Sequence, residues 1–92
     1  MAKEVKDFMM IAFGCPFLEA YGATECAGGV TSTSKWETRA GVVGGPMPSL
    51  KLKLRDLPHL GYFTTDDPPR GEVCVKGNSV FKGYFRDPEL TA

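Results

Sequence analysis

Apolar positions recur along this chain in two periods, and the change from one to the other divides it. From Lys3 to Phe13, Val5, Phe8, Met9 and Ala12 fall at helical spacing, with Lys3, Lys6 and Asp7 elsewhere. This predicts an amphipathic helix with a core-facing stripe. Gly14 supplies the stop and Pro16 prevents continuation. Phe17 to Ala20 then reads as a short strand. Leu50 to Arg55 alternates without a break, placing Leu50, Leu52 and Leu54 inward and Lys51, Lys53 and Arg55 outward. Gly71 to Gly77 alternates again, and Val80 to Tyr84 reads as a further strand joined through the Gly77-Asn78 turn. Asp87 as N-cap, Pro88 at the first position and Glu89 open a second helix.

A helix leading into a strand, followed by several strands joined by turns, predicts α/β followed by antiparallel β, the latter as a small sheet or distorted barrel. The expected division is residues 1–35 as the end of an α/β subdomain and 36–92 as a β-barrel-like subdomain truncated at the start of a helix. A capped helix opening with almost nothing after it suggests a fragment of a longer protein.

Composition narrows the picture a little. The 42% hydrophobic and 24% charged fractions are those of ordinary folded protein and argue against disorder. At 92 residues any core is modest, so stability as an isolated unit is expected to be marginal. Eleven basic and eleven acidic residues cancel, which removes the electrostatic case for nucleic acid as a partner. Cys15, Cys26 and Cys74 are odd in number and widely spaced, with His59 the lone histidine. They fit reduced thiols acting as small apolar residues better than a disulfide framework or a zinc site. The N-terminus lacks a secretory pattern, and no stretch is long enough to span a bilayer. The expected location is intracellular, cytoplasmic or on the cytosolic face of a membrane.

Candidate chemistry concentrates at Tyr21-Gly22-Ala23-Thr24-Glu25. Tyr21 offers an aromatic face, Gly22 admits a ligand close to the backbone, Thr24 carries a hydroxyl, and Glu25 carries a hard oxygen ligand suited to Mg2+. An ordinary strand-end turn would use the same residue types. In α/β sheets, however, ligands bind beyond the carboxyl ends of strands, where this segment is expected. Gly28 to Lys35 contains glycines, hydroxyls and a lysine, but in the wrong order for a Walker loop, so it reads as a strand or loop lining the pocket. Trp36 suits packing, and Gly41 to Pro48 suits a corner or bulge. His59 lies in a polar loop with no partner placed beside it.

Three stretches in order carry a resemblance: Tyr21 to Glu25, then Gly41-Val42-Val43-Gly44-Gly45-Pro46, then Gly71-Glu72-Val73-Cys74-Val75-Lys76-Gly77 leading to Phe81-Lys82-Gly83-Tyr84. This order resembles the adenylate-forming enzymes, most closely the long-chain fatty acyl-CoA synthetases, from about Phe17 to Ala92. The resemblance implies a central fragment of a fatty acid-CoA ligase, with fatty acid, ATP, Mg2+ and coenzyme A as partners. It is compatible with a parent associated with a membrane. In such enzymes a carboxylate attacks the α-phosphorus of ATP, giving an acyl-adenylate and pyrophosphate, and the coenzyme A thiol then displaces AMP. The resemblance assigns Tyr21 and Gly22 to the adenine, Thr24 to the α-phosphate region and Glu25 to the metal, and sets Gly41 to Pro46 near the acyl substrate. Ala20 and Ala23 depart from the residues usual at those positions. The family's phosphate loop, ribose-binding Asp, hinge and C-terminal lysine fall outside this stretch, so the chain alone is expected to be inactive. The alternatives are another adenylate-forming ligase, such as an aryl-CoA ligase or a peptide-synthetase adenylation domain, and a non-catalytic β-rich interaction module.

Overall fold

The computed structural model describes residues 1–92. Helix α1 (Lys3–Phe13) ends as the sequence predicts, with Gly14 left-handed at φ 59 and its N–H donating to Met10 O at 3.0 Å. Strands β1 (Ala20–Ala23), β2 (Gly28–Ser32) and β3 (Gly45–Pro46) form an antiparallel sheet in that order. Strands β4 (Leu50–Arg55) and β5 (Glu72–Gly77) pair antiparallel in unbroken register from Leu50↔Gly77 to Arg55↔Glu72. Helix α2 (Pro88–Thr91) follows, with Asp87 Oδ1 accepting from Leu90 N at 2.9 Å, which is the predicted N-cap. β3, from the segment after residue 35, adds to β2 from the segment before it, so the two segments share a sheet.

The antiparallel character is as expected, but the sheets do not close into a barrel. The expected strand at 17–20 begins only at Ala20, because pairing starts where β2 runs alongside, at Ala20↔Ser32. Tyr21, Gly22 and Ala23 are therefore strand residues rather than residues beyond a strand end. Val80 to Tyr84 is not a strand. Its Phe81 N–H donates to Glu25 O at 2.8 Å instead of joining β5, and only an isolated Tyr84↔Asp87 bridge forms.

Six residues are buried, and only Cys26, Val30 and Leu50 among them are apolar. Leu52, Val75 and Val80 pack against these three. The inward leucines of β4 taper outward, from buried Leu50 through half-buried Leu52 to Leu54 at 39% exposed, because the strand runs away from this small core.

The predicted helix stripe is not the covered face. Val5 and Phe8 are exposed, Phe8 at 68%, while Lys6 is fully buried. Lys6 Nζ donates to Glu19 Oε2 at 3.2 Å and to Arg39 O at 2.8 Å. A buried ammonium needs such partners, and they hold α1 by this side chain. Amphipathic spacing finds the helix but does not say which face the rest of the chain covers.

Candidate functional site

The segment Tyr21 to Glu25 starts on β1 and turns into a 3₁₀ turn over Thr24–Cys26. Ala23 is extended at its entry, and Ala27 leaves it left-handed at φ 55, with Ala27 N donating to Thr24 O at 3.0 Å. Cys26 drops into the core and anchors the turn, which leaves Thr24 exposed and Glu25 half-buried beside it.

Gly22, Ala23, Thr24, Ala27 and Gly28 line an open depression of about 600 Å³. Gly22 earns its place there through the strand pairing. A Cβ on it would stand 1.7 Å from Gly28 O, so β1 and β2 approach too closely for any side chain. The space the sequence reading reserved for a ligand is, on that side, filled by the neighbouring strand. Thr24 Oγ1 makes no hydrogen bond within the chain and faces open surface.

Tyr21 points elsewhere. Its ring, 42% exposed, lines a separate and largely apolar depression of about 430 Å³ with Thr31, Val43, Leu52, Leu54 and Val73. The structure therefore brings Gly22 and Thr24 to one hollow and Tyr21 to another, across a β1 irregularity between Tyr21 and Gly22. Val43 carries the Gly41–Pro46 stretch to the second hollow.

Glu25 is tied to a distant segment. The Tyr84 hydroxyl donates to Glu25 Oε1, and this bond holds the Glu25 carboxyl below its usual range and raises the Tyr84 phenol. Glu25 is in no salt bridge. Its charge is oriented, not neutralised. Tyr84 is the site residue that sequence reasoning missed. The Gly83-Tyr84 pair stood in the motif, but only folding brings it to Glu25.

No three His, Cys, Asp or Glu side chains gather as a metal cage, so a metal held by protein alone is not provided. A Mg2+ ion is normally bound by one or two carboxylates, with waters and substrate phosphates completing its shell. Glu25, with Oε1 on Tyr84 and no cation against it, fits an ion carried in by a triphosphate. His59 sits exposed in a 3₁₀ turn over Pro58–Leu60 without a side-chain partner. Cys15, Cys26 and Cys74 are free thiols.

This β-turn-β unit presents the Thr24 hydroxyl at an open hollow, with Glu25 next to it in the turn but not among the residues that line the hollow. The chain belongs to the AMP-binding enzyme family, whose model matches residues 1–85. It is 44% identical over 89 residues to fatty acyl-CoA synthetase A of Dictyostelium discoideum, covering 96% of this chain and 13% of that one. It is 47% identical over 87 residues to long-chain-fatty-acid-CoA ligase 5 of Mus musculus, covering 95% of this chain and 12% of that one. Among solved structures, the adenylation domain of a carboxylate reductase from Mycobacterium chelonae superposes with TM-score 0.75 at 41% identity, covering 99% of this chain and 13% of that one. The chain thus spans about an eighth of the length of these relatives.

Proposed function

We propose that this chain is the nucleotide-facing segment of a fatty acid-CoA ligase, in which an acid is activated with ATP as an acyl-adenylate and then passed to coenzyme A. The observation that carries the reading is the unneutralised Glu25 carboxylate beside the Gly22–Thr24 hollow, in a chain of the AMP-binding family. The names of the relatives supply the acid and the thiol.

Attack of a carboxylate on a triphosphate brings two anions together, so the protein's part is alignment and charge placement. Thr24 Oγ1, free of internal partners, donates to the α-phosphate region. Glu25 is the residue that would hold Mg2+, through its carboxylate. Such an ion would supply screening of the phosphate charge. Tyr21, set apart from the Gly22–Thr24 hollow, turns its ring to the second, apolar depression instead of to the adenine position that the family resemblance implies. Gly22 allows β2 to lie close enough to shape the hollow. Val43, Leu52, Leu54 and Val73 give the apolar surface that a fatty acyl group needs. The rest of the pocket comes from residues outside this chain, which by itself does not catalyse the reaction.

The test is titration of MgATP into the chain and into Glu25→Ala at millimolar concentration, read by NMR shifts. Metal-dependent shifts at Thr24 and Glu25 that vanish in the variant are expected. Identical titrations for the two chains would overturn the reading.

A further inference from the structure

We propose that Tyr84 is the positioning residue for Glu25, its hydroxyl aiming the carboxylate that meets the nucleotide-bound metal. The inference rests on the reading of Glu25 given above.

Glu25 and Tyr84 lie 59 residues apart, yet the chain joins their segments twice. Phe81 N donates to Glu25 O at 2.8 Å, fixing the backbone, and the Tyr84 hydroxyl donates to Glu25 Oε1, fixing the side chain. A glutamate otherwise explores several rotamers, and ordering it at the moment of binding costs affinity. Two anchors settle that order beforehand.

Tyr84 is itself held at its ring and at its backbone. Its ring meets Phe81 edge to face at 4.8 Å and 89°. Its N–H donates to Thr91 Oγ1 at 2.9 Å, and that hydroxyl donates to Asp87 O at 2.6 Å. The short helix α2 therefore acts as a brace behind the tyrosine. The residue type also suits the task. A lysine or arginine at this position would orient Glu25 but cancel its charge, whereas a neutral phenol orients the carboxylate and leaves the charge for a cation.

The experiment uses Mn2+ with ATP as the probe, read by electron paramagnetic resonance on the chain, Tyr84→Phe, Glu25→Gln and the double variant. ATP binding in EDTA is measured beside it. Tyr84→Phe keeps the ring contact with Phe81 and is expected to weaken Mn2+·ATP binding about tenfold. It should leave metal-free ATP binding unchanged and add nothing to Glu25→Gln. Full affinity in Tyr84→Phe, with loss in Glu25→Gln, overturns the positioning role and leaves the functional reading standing. Unchanged affinity in Glu25→Gln, or no Mn2+·ATP binding by the parent chain at millimolar concentration, overturns both. Equal weakening of metal-bound and metal-free ATP by Tyr84→Phe marks a structural role and also overturns the proposal. Should Tyr84→Phe not fold, Thr91→Ala removes the brace while keeping the phenol. A fall of about threefold in Mn2+·ATP affinity alone is expected there, and an unchanged value overturns the proposal.

Discussion

Lys6 Nζ donates to Arg39 O across 33 residues of sequence, and the same ammonium meets Glu19 Oε2 at 3.2 Å. One buried side chain thus joins α1, the entrance of β1 and the loop before β3. Replacing Lys6 with Met leaves a carbonyl and a mostly buried carboxylate without their cation. The unfolding temperature is expected to fall by about 10 °C. The double variant Lys6→Met, Glu19→Gln should recover part of that loss, and thermal denaturation by circular dichroism reads both.

Gly22→Ala should destabilise by about 1 to 3 kcal/mol, because the new methyl has nowhere to go but into Gly28 O. Gly45→Ala on β3 meets nothing within 4 Å and should stay within about 0.5 kcal/mol of the parent. Urea denaturation of the two variants separates a strand-packing glycine from an incidental one.

Leu50→Ala empties part of a core with only three buried apolar residues and should cost about 3 kcal/mol. Leu54→Ala, two pleats along the same strand and 39% exposed, should cost under about 1 kcal/mol. Equal losses would show that the leucines of β4 are equally covered.

Acid should destabilise this chain. Glu37 is held down to about 2 by the Arg39 guanidinium and then by the Arg39 backbone N–H, against an ordinary value of 4.5. Glu25 is also lowered, by the Tyr84 hydroxyl, and Glu19 is lowered by the Met1 amine and then Lys6. A carboxyl whose folded pKa lies below its unfolded one contributes stability above the unfolded value and loses it as pH falls. The unfolding midpoint is therefore expected to be level just above pH 4.5 and to decline from there toward about 2, and Glu37→Gln should shallow the lowest part of that decline. Tyr84, raised from 10.0 by the Glu25 carboxylate, gives the opposite limb: stability is held below pH 10.0 and lost as pH rises through the higher folded value.

Local signals were legible wherever one short stretch sufficed. The helix over Lys3 to Phe13 with its Gly14 stop, the Leu50 to Arg55 strand, the Gly71 to Gly77 strand and the Asp87 cap all stand as the periodicities and caps predict. Each depends on backbone propensity and side chains within a few residues of one another. The ordered motifs likewise placed the chain in its family, since they are runs of adjacent residues.

Tertiary structure alone decided the rest, because it depends on which distant segment arrives as a partner. It buried Lys6 of α1, began β1 at Ala20 where β2 lies alongside, and left Val80 to Tyr84 out of the sheet because Phe81 N bonds to Glu25 O. It also gave Gly22 to the approach of Gly28 and set Tyr84 against Glu25. No periodicity in either segment encodes the meeting of two residues 59 positions apart, which only the packed chain brings about.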